Sequence, residues 1–224
     1  MYIIGVSDSS SVICLPPCKF YEKLYDNGEG PLTTGMGAYC PYTFTDKKLF
    51  GRISDFIKND VPRAMKKEGV SYKGLLSFRI EISDSEFFVG DISAHIPGIV
   101  LASILPLLES DLLKLILSAT DGTLNENMLT FSKRACVCVL IASGGYPSAY
   151  KKGFPIAFPE LKYNVELLHS GTVLKDGVYY TDAGRVLTVR ASEQDMQKAR
   201  EAAYDTISKI NFSGMYYRSD IARE

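Results

Sequence analysis

The 224-residue chain predicts an α/β fold, in the α+β sense, whose C-terminal part is a small β-rich domain finished by a capped helix. Three observations carry that prediction. Short β-branched runs flanked by turn residues recur from the N-terminus onward. Two segments between residues 45 and 122 space their apolar residues as a helix does, and beyond residue 125 short strands crowd together before a last amphipathic stretch. With 46% hydrophobic and 23% charged side chains, the chain can bury an ordinary core, which excludes a disordered polymer.

Taken in order, "YIIGV" and "SVICL" on either side of "SDSS" read as a hairpin-like opening. From Thr45 to about Gly69, apolar residues at 49, 50, 53, 56, 57, 61, 64 and 65 predict a helix capped by Thr45 and disturbed at Pro62. "GLLSFRIEI" and "SEFFVGDIS" are expected to pair across the turn "SDS". A second helix is expected in "LESDLLKLILSAT", with Leu112, Leu115 and Ile116 on one face and Gly122 marking its end. Beyond it, "RACVCVLIAS", "KYNVELLHSG", "GVYYTDAG" and "RVLTVRAS" read as short strands. Ser192 and Asp195 frame the start of the last helix, whose buried stripe is Met196, Ala199, Ala203, Ile207 and Ile210. Two parts are therefore expected, 1–125 and 126–224.

Charge and composition narrow the function classes. The formal net charge is −1 and no run of lysine and arginine tracks a phosphate backbone, so nucleic acid is not an expected partner. The longest apolar run, "IPGIVLASILPLL" at 96–108, contains two prolines and is shorter than the ~20 residues a membrane span needs. It reads as core. "MYIIGVSDSS" has no basic segment before its apolar stretch, so no secretory signal is expected. Five cysteines, an odd number in a chain with an ample core, favour reduced thiols in a cytoplasmic compartment. "CLPPC" at 14–18 invites a zinc reading, but Cys136 and Cys138 are one residue apart on one strand face, and structural zinc needs four converging ligands.

The stretch "GEGPLTTGMGAY", 28–39, is ambiguous by composition alone. Its glycines suit an anion cradle, yet neither the P-loop nor the dinucleotide spacing is present, and a tight solvent-facing loop explains the same residues.

A resemblance covers essentially the whole chain. "LPP", "GEGPLTTGMGAYCP", "YKGLLS", "LPLLESDLLKLI", "ASGGYPSAYKKG", "LLHSGT", "GRVLTV" and "GMYYRSDI" stand in an order similar to that of the glycinamide ribonucleotide synthetase (phosphoribosylamine-glycine ligase) family. That family has the ATP-grasp fold, uses Mg and ATP, and joins glycine to phosphoribosylamine in purine biosynthesis. The resemblance implies a partial ATP-grasp large lobe at 1–125 and the family's C-terminal domain at 126–224. It also implies that the family's first domain and small ATP-covering lobe would precede Tyr2.

The same resemblance assigns candidate residues. Gly30, Pro31, Thr33, Gly35, Met36 and Gly37 fit the family's substrate-pocket loop, while Leu32 stands where asparagine is usual and Thr34 where a glycine is. Over 91–100 the family has a glutamate and an asparagine that hold magnesium, then an arginine and a further acid. Here Asp91, Ser93, His95 and Val100 take those places. A methylene-shorter carboxylate and a hydroxyl are poorer magnesium ligands, and an imidazole lacks the bidentate fork of arginine. Phe20 and Tyr21 follow the double proline where the family has polar residues. Asp91 is expected as an unbound polar residue, His95 as a partly exposed strand-end side chain, and His169 and "GMYYRSDI" as architecture, with Arg218 and Asp220 paired.

Three expectations of function follow. The first is a ligase-like relative that keeps the fold without catalysis alone, a pseudoenzyme. A second is the C-terminal half of a two-chain ligase, completed by a separate N-terminal half. The third is a small-molecule binding module whose remodelled pocket comprises Phe20, Tyr21, Leu32 and His95. A homo-oligomer is a further expected assembly.

Overall fold

The computed structural model describes residues 1–43, 46–84 and 86–223. In chain order the first strands are β1 (Tyr2–Asp8), β2 (Val12–Cys14), β3 (Lys19–Tyr25) and β4 (Glu29–Cys40), followed by helices α1 (Lys47–Asp55) and α2 (Val61–Lys67). Next come β5 (Lys73–Ser83), β6 (Glu86–Ser93), α3 (Gly98–Ile104) and α4 (Leu112–Asp121). The remainder holds β7 (Ala135–Ser143), β8 (Val165–His169), β9 (Thr172–Lys175), β10 (Val178–Thr181), β11 (Arg185–Glu193), α5 (Met196–Ile207) and β12 (Met215–Tyr216).

These elements form two compact units, Met1–Lys19 with Pro41–Ser132, and Phe20–Cys40 with Lys133–Glu224. They cut the chain differently from a single division at 125, because residues 20–40 belong with the C-terminal part. Strand pairing is the reason: β4 adds to the edge of β7, matching Gly37 with Val139 and Cys40 with Cys136.

The first unit is built on an antiparallel sheet ordered β2-β1-β5-β6, with the expected N-terminal hairpin and the expected β5–β6 pair. One face carries α1 and α2 over a core of Ile3, Val12, Leu49, Ile53, Ile57, Val61, Leu76, Phe78 and Ile80. Thr45, the expected cap, lies outside the described residues, as does Ser85 of the 83–85 turn. Asp46 caps α1, its carboxylate accepting from the backbone N–H groups of Lys48 and Leu49 at 2.9 and 3.0 Å. Pro62 does not break the helical path. A π-helical turn over Phe56–Asp60 precedes it, and Pro62 falls in the first turn of α2, where a missing N–H is tolerated.

Helix α4 packs against β1 and β5 through Leu115, Ser118 and Ala119. Leu112 and Ile116, expected beside Leu115 on its buried face, are exposed, because the small Ser118 and Ala119 let the helix approach on the neighbouring stripe. Asp111 and Gly122 close its ends as N-cap and left-handed C-cap. The run at 96–108 is core as expected, with Val100, Ser103, Ile104 and Leu107 buried.

The second unit holds a sheet ordered β3-β4-β7-β11-β8, with β12 also on β7, and a separate β9–β10 hairpin. Strand β7 lies inside that sheet and all nine of its residues are buried, which explains its continuous apolar run. The side chains of Cys136 and Cys138 share one face; Cys40 and Ala38 are their cross-strand partners. Asp195 caps α5 by accepting from the Lys198 N–H at 2.8 Å. The buried side of that helix is Ala199, Ala203, Thr206 and Ile207; Met196 is half-buried, and Ile210 is buried beyond the helix end. Among the described residues, no helix is long and apolar enough to cross a membrane.

Candidate functional site

Gly28 ends a 3-10 turn, and the rest of the 28–39 stretch is a strand and not a loop. Its first residues are exposed, whereas Gly35 to Cys40 are buried in the sheet of the second unit. Thr33, Gly35, Met36 and Gly37 each have local work there. Gly35 sits at φ 112°, a value that disfavours any side chain, and its N–H donates to the Thr33 hydroxyl at 3.0 Å. The Thr33 hydroxyl in turn donates to the Glu22 carbonyl at 2.8 Å. Met36 is fully buried, and at Gly37 a Cβ would lie 2.7 Å from Ile221 Cδ1 and 3.0 Å from the Cys138 carbonyl oxygen. Packing therefore accounts for Gly35, Met36 and Gly37.

The exposed half of β4 has a different neighbour. Pro31 joins Tyr25, Gly144, Gly145, Tyr146 and Tyr216 around a cavity of about 280 Å³. Thr34 anchors the cavity wall, its N–H 3.4 Å and its hydroxyl 3.1 Å from the Tyr146 hydroxyl. Tyr25 and Tyr216 meet edge to face with centroids 6.0 Å apart. Gly145 is obligatory, since a Cβ there would lie 2.0 Å from the Ala149 carbonyl oxygen. Sequence reasoning used "SGGYPS" only as a mark of resemblance and missed it as a cavity wall. The legible signal was a glycine pair directly before an aromatic residue and a proline.

In the first unit, Asp91 and Ser93 lie on β6 opposite Arg79 and Ser77 of β5, so the four share one sheet face. Asp91 is exposed. Arg79 pairs with Glu81 at 3.0 Å, and the pair lies over Gly90, where a Cβ would come within 2.8 Å of Arg79 Nε. The Ser93 hydroxyl accepts from the His95 N–H at 3.0 Å, while Ser77 Oγ lies 2.9 Å from the His95 carbonyl. His95 thus ends a pinned turn with its side chain exposed. As magnesium donors, these residues offer one carboxylate opposite a guanidinium, and a hydroxyl already engaged in a turn. That set does not fit an ion that prefers octahedral hard oxygens. Among the described residues no three of His, Cys, Asp and Glu converge as a metal site.

The remaining candidates fall in both units. Phe20, Tyr21 and Leu32 belong to the second and His95 to the first. Tyr21 serves the architecture: Arg218 lies over its ring at 4.8 Å, and its hydroxyl accepts from the Ala222 N–H at 3.2 Å. Arg218, 2% exposed, is held by both Asp220 carboxylate oxygens at 2.8 and 2.6 Å and by the Lys23 carbonyl at 2.9 Å. Partial burial works to raise the Asp220 pKa, but Arg218 and the Asn27 N–H outweigh it and hold the carboxyl below its usual range. His169 packs on Phe158 and Tyr179 and shares a 2.8 Å hydrogen bond with Thr172. Burial pushes the Cys14 thiol up to about 12, so it is a poor nucleophile and a poor metal ligand.

Comparison with known proteins converges on one family. Residues 1–94 match the model described as phosphoribosylglycinamide synthetase, ATP-grasp (A) domain, and residues 136–224 match phosphoribosylglycinamide synthetase, C domain. The chain belongs to the phosphoribosylglycinamide synthetase family. It is 38% identical over 220 residues to a phosphoribosylamine–glycine ligase from Caldanaerobacter subterraneus subsp. tengcongensis, covering 98% of this chain and 53% of the relative. It is 37% identical over 218 residues to the bovine trifunctional purine biosynthetic protein adenosine-3, covering 96% of this chain and 22% of the relative. The crystal structure of a Thermotoga maritima phosphoribosylamine–glycine ligase superposes with a TM-score of 0.83 at 25% identity, over 99% of this chain and 55% of that one. A Campylobacter jejuni biotin carboxylase, 12% identical with a TM-score of 0.64, shares the fold over 96% of this chain and 46% of that one. The chain spans about half the length of the phosphoribosylamine–glycine ligases it matches.

Proposed function

We propose that this chain is a phosphoribosylamine–glycine ligase-like pseudoenzyme that does not bind Mg·ATP productively by itself. The observation that supports this reading is the β5–β6 face, where Asp91 is the one carboxylate at the family's magnesium positions, Arg79 stands opposite it, and the Ser93 hydroxyl is tied to His95. Phosphoryl transfer depends on positioned charge, and one carboxylate with one engaged hydroxyl does not supply it. The exposed half of β4 points the same way: Leu32, 63% exposed, replaces a side chain that can hydrogen-bond with one that cannot. The cysteine content supports a cytoplasmic setting.

A thermal-unfolding titration with Mg·ATP, glycine and both together tests the reading. A ligand at 100 times its Kd stabilises by about 2.7 kcal/mol, which moves the midpoint by several degrees. The expected outcome is no magnesium-dependent shift. A saturable shift that Asp91→Asn abolishes would overturn the reading.

The half-length match to phosphoribosylamine–glycine ligases supports a second reading, in which a separate polypeptide carrying the family's other half completes an active ligase. The exposed Leu113, Ile116 and Leu117 of α4 support a protein partner of that kind or a second copy of the chain. Glycine-dependent ADP release on mixing the two halves would favour the two-chain ligase, and its absence would remove it.

A further inference from the structure

Away from the β5–β6 face, the first unit contains a larger cleft, about 600 Å³, where the turn after β1 meets the end of α2. We propose that this cleft binds a small phosphorylated molecule. Its floor and rim carry Lys58, Arg63 and Lys66 beside Ser9, Ser10 and Ser71, and none of the residues lining it is acidic. The Ser10 hydroxyl already donates to Asp8, which leaves three cations with Ser9 and Ser71 beside them; this set suits a phosphate group, which takes charge-assisted hydrogen bonds from several sides at once.

The nearby acids do not close the cleft to an anion. Arg63 pairs with Asp60 at 3.3 Å and Lys58 with Glu126 at 2.5 Å, and in each pair one or both side chains are largely exposed. Exposed pairs of this kind are weak and exchange readily for a better ligand. Asp8, beneath the turn, is fully occupied: one carboxylate oxygen accepts from the N–H and hydroxyl groups of both Ser10 and Ser11, the other from the Leu124 N–H. The carbonyls of Ala64, Met65 and Lys66 near the end of α2 are satisfied too, by the N–H groups of Glu68, Val70 and Gly69, so these three do not repel an anion as open acceptors would.

Pro62 and Val70 form the apolar part of the wall, and Val70 is 48% exposed. That wall selects a molecule with an organic ring or chain as well as a phosphate, and the volume lies within the range of small-molecule sites, about 300–1,000 Å³. The net charge of −1 argues against a nucleic-acid polymer as the source of the phosphate.

The test is a calorimetric titration of the whole chain at near-physiological salt, in chelator to remove magnesium, with AMP and with orthophosphate as probes. Saturable AMP binding, tighter than that of orthophosphate, is expected. Arg63→Glu with Lys66→Glu should weaken both probes roughly tenfold or more, and the uncharged Val70→Ser should weaken AMP in particular. Lys67→Glu, an exposed neighbour outside the cleft, should change neither. No saturable binding of either probe overturns the proposal, as does an equal loss from Lys67→Glu and Lys66→Glu. Orthophosphate binding as tight as AMP binding overturns the role of the Pro62–Val70 wall. The result is separable from the Mg·ATP test, because this binding is metal-independent and unaffected by Asp91→Asn.

Discussion

Strand β4 in the second unit and strand β6 in the first both carry a family motif, and they differ in what the residues do. In β4 the matched residues Gly35, Met36 and Gly37 are buried and each is demanded by a neighbour: a left-handed φ, a filled core position, a contact with Ile221. In β6, an edge strand, the departure Asp91 is exposed, and half-buried Ser93 serves only a local turn to His95. A motif whose positions serve the core persists in a chain whatever its chemistry, whereas a motif that serves only a ligand is free to change. Matching the first kind is therefore evidence of fold and not of activity.

Substitutions can break or sharpen this contrast. The largest effect is expected at Arg218 in the second unit. Arg218→Met removes a 2% exposed guanidinium from Asp220 and leaves a carboxylate without its main partner, which costs about 3–5 kcal/mol. Chemical denaturation would show a large drop in midpoint; a near-neutral result would mean that the C-terminal motif is not architectural.

Asp8 comes next. Burial pushes its pKa up, but hydrogen bonds from Ser11 and Ser10 outweigh this and hold the carboxyl below the ordinary value. A depressed folded-state pKa gives stability that is present above the unfolded value, about 3.9, and is lost as pH falls through the folded value. Asp8→Asn should cost about 1.5–3 kcal/mol at neutral pH, and below pH ~4 its stability should fall less steeply than that of the parent chain. Parallel acid profiles for the two proteins would contradict the assignment.

Gly37→Ala is expected to cost about 1–3 kcal/mol, because Ile221 can shift but the Cys138 carbonyl, 3.0 Å from the new methyl, is fixed in the sheet. A stability equal to that of the parent would break the claim that β4 matches the family for packing reasons. The smallest effect is expected at Asp91. Asp91→Ala should change stability by less than about 0.5 kcal/mol and leave a thermal midpoint in Mg·ATP unaltered. A magnesium-dependent difference between parent and variant would place chemistry back on β6.

Much of the fold was legible from local rules. The opening hairpin, the β5–β6 pair, the continuous apolar run of β7 and the Asp195 cap all follow from residues near one another in the chain. The misread elements share a cause. "GEGPLTTGMGAY" lacks any period-2 alternation, because four glycines present no side chain to either face, so a strand looked like a loop. On α4 three apolar residues defined a sensible stripe, yet the sheet accepted the small side chains beside it. Of the candidate site, the departures at 91–95 were visible by resemblance, but the cavity beside "SGGYPS" and the basic cleft were not, since each is assembled from segments far apart in sequence.

By itself, then, the sequence determined the class of fold, the Gly122 end of α4, the Asp195 start of α5 and the family. Caps, periodicity and turn residues act over a few positions and can be read one segment at a time. Only the tertiary structure decided that residues 20–40 join the C-terminal sheet, which side of α4 is buried, and that Gly37 has no room for a side chain. Those outcomes depend on partners about a hundred residues away in the chain, as Gly37 with Val139 illustrates. The hydrophobic effect that buries the segment is non-directional and does not name its partner in advance.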